Sequence, residues 1–308
     1  MRRLAAIDLG TNTVRLLVVE ASGAEWRGLH AEQRVTRLGE GQAGTGSLQP
    51  AAMRRTVEVV AAFCRRAEDL GVHDVRIVGT SAVREAQNGA EFLAQVRSSS
   101  GRQVRVISGE EEARLTLLGV TEGLPDLRGD FLLFDIGGGS TEFVLSRAGR
   151  ASQAVSVMLG VVELAERFMD QGPVDHTRYD AMAAEIGARL TAGLTEPILR
   201  HGAPALVGSA GTVTTLAALD LGLESYDPAR VHGHRLTRVV VAGLVARLAA
   251  QSLAERAALP CLEPGRADLI VPGAAIFLAA LDRLGFDALV VSDRGLREGI
   301  LYEILAEH

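Results

Sequence analysis

Two acidic residues, Asp135 and Glu142, stand on either side of a glycine-rich turn in the segment FDIGGGSTEF (134–143). Such a segment can be a tight hairpin with no further role. Alternatively, the glycines leave room for backbone N–H groups to contact an anion, while the carboxylates hold a cation. The second interpretation predicts a metal-assisted phosphate site.

The same layout occurs a second time, near the N-terminus. Residues 5–20 read AAIDLGTNTVRLLVVE and residues 132–147 read LLFDIGGGSTEFVLSR, with Asp8 and Asp135 in matching positions. Aliphatic and β-branched residues on both sides of each turn predict a hairpin of two strands. This excludes a dinucleotide-binding turn, in which the glycines must open a helix. Two copies of one hairpin predict two related domains, with a ligand cleft between them.

Two further small-residue turns follow predicted strands and open predicted helices. The first is GTSAVREA (79–86), where Thr80, Ser81 and Arg84 cluster at a helix N-terminus, and the second is GSAGT (208–212). The unpaired N–H groups and partial positive charge of a helix N-terminus favour phosphate. One such turn alone is more often an ordinary helix start. Four small-residue turns in one chain predict several phosphates bound in a row.

The segment ISGEEEARL (107–115) leaves one acidic residue without a structural role. Ser108 and Glu111 have the spacing of a capping box at a helix start, and Glu110 favourably opposes the helix dipole. Glu112 has neither role. On its own it would be a solvated surface glutamate, so the residues alone leave its function open.

Composition and charge restrict the classes of function. The chain has 308 residues, 47% hydrophobic and 23% charged, with a formal net charge of −6, which is typical of a two-domain globular protein. The negative charge gives no general attraction to polyanions, so we expect no stable nucleic-acid partner. No lysine occurs, which leaves arginine as the basic side chain for phosphate. We find neither a signal-peptide pattern nor an apolar membrane span and expect a cytoplasmic location.

The two cysteines, the HGH segment and the charged residues near the C-terminus do not indicate a further catalytic site. Cys64 and Cys261 form no CxxC pattern, so neither a disulfide framework nor a zinc site is predicted. The HGH segment (232–234) is expected to be strand or loop, with metal binding as the less favoured alternative. Arg294, Arg297 and Glu298 are expected to form surface or interdomain ion pairs, each worth about 1 kcal/mol or less when exposed.

Strands and helices alternate along the chain, which predicts an α/β fold. Residues 25–36 are expected to continue the first sheet. Further predicted strands cover residues 75–79, 104–107, 205–208 and 288–292, and predicted helices cover 50–71, 160–169, 177–200, 212–221, 237–257, 266–284 and 295–306.

Seven segments together resemble the exopolyphosphatase / guanosine pentaphosphate phosphohydrolase (Ppx/GppA) family of the actin-like ATPase superfamily. The resemblance implies an α/β fold of two actin-like (ribonuclease H-like) domains with a ligand cleft between them, in the short two-domain form. It implies domain I at residues 1–122 plus a C-terminal helix at 294–308, and domain II at 123–293. The segments are IDLGTNTVRLLV, RLGEG (37–41), VGTSAVREA, ISGEEEARL, FDIGGGSTEF, GSAGT and VSDRGLREGIL (291–301).

The resemblance also implies an activity and its residues. Family members hydrolyse the terminal phosphate of inorganic polyphosphate, and removal of the 5′ γ-phosphate of pppGpp (guanosine pentaphosphate) is the alternative. Glu112 is implied as the general base, Asp135 and Glu142 as catalytic ligands of Mg²⁺ or another divalent cation, and a homodimer as the assembly. The implied phosphate-binding residues are Asp8, Gly10, Thr11, Asn12, Thr13, Arg84, Gly137, Gly138, Gly139, Ser140, Ser209, Gly211 and Thr212.

Two other functions are compatible with the hairpins. A kinase of the same superfamily would use the same phosphate turns, although the SGEEEAR segment and the missing sugar-kinase motifs disfavour it. A polyphosphate or alarmone sensor would bind without turnover. The presence of Glu112, Asp135 and Glu142 together disfavours a sensor.

Overall fold

The computed structural model describes residues 1–23, 25–127 and 129–307 and divides the chain into two compact units. Unit 1 comprises Met1–Gly119 and Gly295–His308, and unit 2 comprises Val120–Arg294. Each unit contains one sheet with helices packed against it. The predicted α/β class is confirmed.

The sheet of unit 1 joins an antiparallel half to a parallel half. Its strands are β1 (Arg2–Leu9), β2 (Thr13–Ser22), β3 (Glu25–Val35), β4 (Asp74–Gly79) and β5 (Val104–Val106), in the order β3-β2-β1-β4-β5. The β1–β2 and β2–β3 pairs are antiparallel, whereas β1–β4 and β4–β5 are parallel. The predicted N-terminal hairpin is therefore present.

The sheet of unit 2 repeats that order. Its strands are β6 (Phe131–Ile136), β7 (Thr141–Arg147), β8 (Arg150–Val157), β9 (Leu206–Ser209), β10 (Arg235–Thr237) and β11 (Ala288–Val291). They lie in the order β10-β11-β9-β6-β7-β8, with β6–β7 antiparallel and β6–β9 parallel. Read in reverse, the strands β8-β7-β6-β9-β11 of unit 2 match the strands β3-β2-β1-β4-β5 of unit 1. The predicted duplication of the hairpin therefore extends to the sheet.

Helices supply the crossovers that parallel strands require. Helix bounds agree with the predictions for residues 50–71, 160–169, 212–221 and 295–306 to within a few residues. The helices of the described residues are α1 (Gln42–Thr45), α2 (Pro50–Asp69), α3 (Ser81–Glu85), α4 (Gly89–Ser100), α5 (Gly109–Gly123), α6 (Val161–Phe168), α7 (His176–Gly193), α8 (Glu196–Leu199), α9 (Ala210–Asp220), α10 (Pro228–Val231), α11 (Arg238–Ala249), α12 (Leu253–Ala257), α13 (Ile270–Leu284) and α14 (Leu296–Ala306), with 3₁₀ turns at Pro125–Leu127 and Pro264–Arg266.

Three predicted helices are shorter than expected. The helix predicted for 177–200 ends at Gly193, and α8 starts separately with Pro197 in its first turn, a position that suits proline. The helix predicted for 237–257 is split because Ser252 forms a capping box that starts α12. The helix predicted for 266–284 begins at Ile270.

From Leu4 onward both faces of β1 are buried, which explains why residues 4–7 are continuously apolar instead of alternating. Ala5 and Ile7 belong to a core shared with α2 and α4. Leu4 and Ala6 face a second core that includes residues of α5 and α14. Helix α14 thus packs against the sheet of unit 1.

Helices α5 and α14 contact each other through glycine. A Cβ on Gly299 would collide with the carbonyl oxygen of Leu115, and a Cβ on Gly119 would collide with the carbonyl oxygen of Gly295. Only glycine permits this approach at both positions. The contact holds α5 in place, and α5 carries Glu112 in its first turn.

The pair Arg297–Glu298 is not the exposed pair predicted from the sequence. Glu298 is 4% exposed and accepts hydrogen bonds from Arg297 and from the N–H of Gly295 at 2.9 Å. Burial alone would raise the pKa of Glu298, but the charge of Arg297 and these hydrogen bonds outweigh it and hold the pKa below its usual value. The prediction of a surface pair was wrong because the packing of α14 encloses Glu298.

Over the part of the chain that the structure describes, no helix is both long enough and apolar enough to cross a membrane.

Candidate active site

The two hairpins close with the same backbone hydrogen bond. The N–H of Gly10 donates to the carbonyl oxygen of Thr13 at 3.1 Å, and the N–H of Gly137 donates to that of Ser140 at 2.9 Å. A Cβ on Gly10 would lie 3.0 Å from the carbonyl oxygen of Thr13, and a Cβ on Gly137 would lie 2.9 Å from that of Ser140. Both distances are shorter than an ordinary van der Waals contact of a Cβ atom. The first glycine of each motif is therefore needed for the turn itself.

In unit 1, the RLGEG segment folds over the first turn. The N–H groups of Thr36 and Arg37 both donate to the carbonyl oxygen of Asn12, and the N–H of Gly39 donates to that of Thr11, each at 2.9 Å. A Cβ on Gly39 would collide with the Thr11 side chain. Arg37 has a positive φ of 51°, an uncommon conformation for a residue with a side chain. The motif therefore supports the turn that contains Thr11 and Asn12.

Two buried polar atoms beside this turn lack partners among the described residues: Asn12 Oδ1 and Thr36 Oγ1. Asn12 is 9% exposed, and its Nδ2 donates to Thr13 Oγ1 at 3.2 Å. Buried polar atoms are normally hydrogen-bonded, so an orphaned pair is typical of a place where water or a ligand binds. The first turn thus has the chemistry of a ligand contact.

The carboxyl ends of β1, β4 and β5 bring the unit 1 candidates to one edge of the sheet. Asp8 is the second-last residue of β1 and is 8% exposed. The N–H of Thr80 donates to the carbonyl oxygen of Leu9 at 3.3 Å, and the N–H of Ile107 donates to that of Gly79 at 3.1 Å. Ligands of open α/β sheets bind at this edge.

Glu112 lies next to Arg84 at that edge. The Nη1 of Arg84 donates to the carbonyl oxygen of Ile107 at 3.0 Å and to Glu112 Oε2 at 3.3 Å. The Glu112 side chain is only 14% exposed, so it is not a solvated surface glutamate. A nearby guanidinium favours the ionised carboxylate, which is the form that a general base needs. The sequence-predicted pair of Arg84 and Glu112 is thus brought together.

The neighbouring acids of α5 have structural partners, as the sequence indicated. The N–H of Glu111 donates to Ser108 Oγ at 3.1 Å, which is the predicted N-terminal cap. The Glu111 carboxylate pairs with Arg105 at 3.0 Å.

In unit 2, Asp135 and Glu142 lie directly opposite each other on β6 and β7. Asp135 has Ser209 of β9 on its other side, and Glu142 has Ser156 of β8 on its other side. Glu142 is 2% exposed, and its Oε1 accepts hydrogen bonds from Ser140 Oγ at 2.6 Å and from Ser156 Oγ at 2.7 Å. Two carboxylates and three hydroxyls thus share one side of the sheet.

This donor set fits a magnesium ion. Residues directly opposite in an antiparallel pair have Cβ atoms about 5 Å apart, so two carboxylates there repel each other unless a cation joins them. Among the described residues, no group of three or more acidic, histidine or cysteine side chains forms a metal cage. Mg²⁺ does not need one, because it binds through one or two carboxylates, water and substrate phosphates.

The HGH segment does not have the geometry of a metal site. His232 Nε2 lies 2.9 Å from the carbonyl oxygen of Gly123, and its Nδ1 accepts from the N–H of Asp293 at 3.1 Å. His234 pairs with Asp220 at 2.7 Å. Both rings already have protein partners.

The second turn also caps a helix. The N–H groups of Val161 and Val162, at the start of α6, donate to the carbonyl oxygens of Gly137 and Gly138 at 3.2 and 3.0 Å. A Cβ on Gly160 would collide with Gly138. The remaining residues of the turn, Gly139 and Ser140, lead into β7.

The GSAGT turn links β9 to α9. Ser209 Oγ donates to the carbonyl oxygen of Arg294 at 3.2 Å. Ala210 adopts a left-handed φ of 72°, which is strained for a residue with a Cβ and is typical of functional turns. Gly211 and Thr212 lie in the first turn of α9, and a Cβ on Gly273 of α13 would collide with Thr212.

The structure thus gathers the predicted residues into two sets. Unit 1 holds Asp8, Gly10, Thr11, Asn12, Thr13, Arg84 and Glu112, and unit 2 holds Asp135, Gly137, Gly138, Gly139, Ser140, Glu142, Ser209, Gly211 and Thr212.

Sequence reasoning missed two neighbours of the candidate acids. Arg15 lies opposite Asp8 on β2 and is recognisable from the sequence, because it occupies the place of Glu142 in the repeated hairpin. Ser156 has no such signal, since its strand was not predicted and its register depends on a bulge in β7–β8.

Comparison with known proteins identifies the family to which the chain belongs. The model of the Ppx/GppA phosphatase family matches residues 17–308. The chain belongs to this family. It is 35% identical over 318 aligned residues to "Exopolyphosphatase 2" of Mycobacterium tuberculosis, covering 97% of this chain and 98% of the relative. Family membership makes it a hydrolase of phosphoric anhydride bonds.

Solved structures of Ppx/GppA proteins share the fold. The Aquifex aeolicus family member has a TM-score of 0.82 and 33% identity, covering 100% of this chain and 99% of that one. An exopolyphosphatase from Cytophaga hutchinsonii has a TM-score of 0.90 and 27% identity, covering 99% and 98%. The predicted actin-like fold of the family is confirmed.

Proposed function

We propose that this Ppx/GppA protein is an exopolyphosphatase, which removes the terminal phosphate of inorganic polyphosphate with Mg²⁺ bound and water activated by Glu112. The observation that carries the mechanism is Glu112 itself: it is largely buried, ordered by Arg84 and located at the carboxyl edge of the unit 1 sheet. The substrate is supported by the name of the Mycobacterium tuberculosis relative.

Hydrolysis needs an oriented water and neutralised phosphate charge, with little covalent participation by the protein. Glu112 accepts a proton from the water as the water oxygen bonds to the terminal phosphorus. The bridging P–O bond breaks, and its electron pair stays on the oxygen of the shortened chain. Arg84 holds the base and supplies a guanidinium for phosphate oxygens.

Phosphate contacts would come from the hairpin turn of each unit taken by itself and, in unit 2, from the GSAGT turn as well. Beside the first turn, the buried hydroxyl of Thr36 has no partner among the described residues and can donate to a phosphate oxygen. The N–H groups of Gly10 and Gly137 close their own turns, so the proposed contacts come from the residues that follow them. The third contact region is the start of α9, where Gly211 and Thr212 offer a helix N-terminus.

Asp135 and Glu142 would hold the divalent cation. When bound, Mg²⁺ supplies positive charge that neutralises the phosphate oxygens. The two carboxylates lie opposite each other across β6 and β7, and hydroxyls of Ser140 and Ser156 orient Glu142. The homodimer and cytoplasmic location stay predictions.

The test measures phosphate release from long-chain polyphosphate with Mg²⁺ by wild type and Glu112→Gln. The amide keeps the size of the side chain but cannot act as a base, so we expect a loss of roughly 10²-fold or more. Glu110→Gln is the matched control, because Glu110 is an exposed acid in the first turn of the same helix; its rate should stay near wild type.

Four outcomes decide between the hypotheses. Equal rates for wild type and Glu112→Gln would show that Glu112 is not the base. A wild type that releases phosphate from pppGpp in large excess over polyphosphate would replace the proposed substrate with the nucleotide. ADP formation that depends strictly on an added acceptor would point to a kinase, and polyphosphate binding without turnover under any divalent metal would point to a sensor.

A further inference from the structure

Ser156 contacts the same carboxylate oxygen as the turn residue Ser140. Ser156 Oγ donates to Glu142 Oε1 at 2.7 Å from β8, and Ser140 Oγ donates to it at 2.6 Å from the turn. Both distances are typical of hydroxyl–carboxylate hydrogen bonds, which are the strong, charge-assisted kind. Glu142 is thus held from two different elements of the sheet.

We propose that Ser156 is a positioning residue that orients Glu142 for the divalent cation. This inference rests on the proposed metal-binding role of Glu142. A carboxylate oxygen has two lone-pair directions, and on Oε1 both receive a hydroxyl donor. The pair of hydroxyls therefore fixes the orientation of the carboxylate that would hold the cation.

The register of β8 is what places Ser156 there. Ser156 is the cross-strand partner of Glu142, after a register shift between Leu145 and Ser146. Such a bulge re-aims side chains by one position, and a slip of one residue moves each side chain to the other face of the sheet. The bulge thus brings a hydroxyl, not an apolar side chain, to the buried carboxylate.

A second serine in the same strand pair serves as a natural control. Ser146 of β7 is fully buried, and its Oγ has no hydrogen-bond partner within the described part of the chain. It lies four residues after Glu142, so both side chains point to the same face of the strand. Replacing Ser146 by alanine removes the same atom without touching Glu142.

The experiment measures Mn²⁺ binding to the full chain by electron paramagnetic resonance, with and without inorganic phosphate. The proteins are wild type, Glu142→Gln, Ser156→Ala, Ser156→Thr and Ser146→Ala. Loss of a group that orients a metal ligand typically costs 10–100-fold in affinity, so we expect Ser156→Ala to weaken binding by about 10-fold or more. Ser156→Thr keeps the hydroxyl and should bind like wild type, as should Ser146→Ala.

Kinetics provide a second readout. Ser156→Ala should raise the Mg²⁺ concentration for half-maximal phosphate release by about the same factor, while saturating Mg²⁺ restores much of the rate. A residue that only stabilised the fold would lower the rate equally at every Mg²⁺ concentration.

The set of variants distinguishes an error in the metal-binding role of Glu142 from an error in the positioning role of Ser156. If wild type and Glu142→Gln bind Mn²⁺ equally, or wild type does not bind it, the metal-binding role of Glu142 is wrong and the inference falls with it. If Glu142→Gln loses binding while Ser156→Ala keeps it, only the role of Ser156 is overturned. Equal losses in Ser156→Ala and Ser146→Ala would also overturn it, because they would reflect general damage to the strand.

Discussion

In unit 1 the aspartate near the end of the first hairpin strand, Asp8, lies opposite Arg15, whereas in unit 2 the corresponding Asp135 lies opposite Glu142. The two pairs occupy corresponding positions on the strands that flank the turn of each hairpin. The first pair places an acidic residue opposite a basic one. The second places two acidic residues opposite each other, and it is the pair that we propose as the ligands of a divalent cation.

The difference extends across the neighbouring strands. Each aspartate belongs to a row of four cross-strand partners, which runs from β4 to β3 in unit 1 and from β9 to β8 in unit 2. Only the unit 2 row adds hydroxyls that can orient a carboxylate or contact phosphate. The rows are Val78, Asp8, Arg15 and Gln33 in unit 1, and Ser209, Asp135, Glu142 and Ser156 in unit 2.

The comparison teaches that a duplicated scaffold can carry different charges at equivalent positions. Unit 1 pairs its site charges with opposite ones, as in Arg84 with Glu112, and its ordered carboxylate is available to act on a proton. Unit 2 concentrates negative charge and is suited to a metal. Backbone geometry is shared, and side-chain charge decides the role.

The largest expected effect distinguishes the two aspartates directly. Asp135→Asn should reduce phosphate release by about 10³-fold, since a metal supplies several kcal/mol of charge stabilisation and each 1.4 kcal/mol is tenfold. Asp8→Asn should have a smaller effect and leave the Mg²⁺ dependence unchanged, because Asp8 faces Arg15. The measurement is the rate against Mg²⁺ concentration for both variants. Equal shifts in the Mg²⁺ dependence of both variants would contradict the different roles that are assigned to Asp8 and Asp135.

Opposite-charge pairing in unit 1 also predicts a pH effect on stability. The pKa of Glu298 is lowered in the folded protein, so its contribution is present above the ordinary carboxyl pKa and is lost as the pH falls through the lowered value. Glu298→Gln breaks a buried pair and should cost about 3 kcal/mol at pH 7. Below about pH 4 the difference from wild type should shrink.

Thermal or urea unfolding against pH checks this prediction. Glu40→Gln is the control, because Glu40 forms an exposed pair with Arg55 and should change stability by about 1 kcal/mol or less. A Glu298→Gln difference that is constant between pH 3 and 8 would contradict the assigned charge.

The smallest effect concerns backbone strain in unit 2. Ala210 in the GSAGT turn and Ala148 in the β7–β8 turn both have positive φ, at 72° and 49°. Replacing either by glycine should stabilise the protein by about 1 kcal/mol or less, since relief of the left-handed penalty exceeds the added chain entropy. Only Ala210→Gly should raise KM for polyphosphate, because only Ala210 lies in a candidate phosphate turn. Unchanged KM values for both variants would argue against that turn as a contact.

Much of the fold was predictable because it depends on local patterns. Alternation of strand and helix patterns gave the α/β class, and the repeated Asp-x-Gly hairpin correctly indicated two related units. The helix from Pro50 was clear from its apolar spacing and end signals. The short strand β10 and the breaks after Gly193 and Ala249 were missed, since local capping competes with a continuous helical pattern there.

The candidate site was predictable to a smaller degree. Glycines that support close turns carry their reason in the sequence, as do acids placed next to them. Glu112 could not be separated from a surface glutamate by spacing alone, and family resemblance singled it out. Its burial beside Arg84 depends on contacts between residues 28 positions apart, which no local pattern reveals.

The sequence by itself determined the hairpins, their glycine turns and the charges on them, because these follow from side-chain size and local propensity. The tertiary structure decided which groups face those charges. Counted from the Arg147–Arg150 pair without a shift, Val155 would lie opposite Glu142; the bulge puts Ser156 there instead. Packing of α14 likewise encloses Glu298. Both outcomes arise from register and packing between distant segments, and a slip of one residue reverses the face that each side chain occupies.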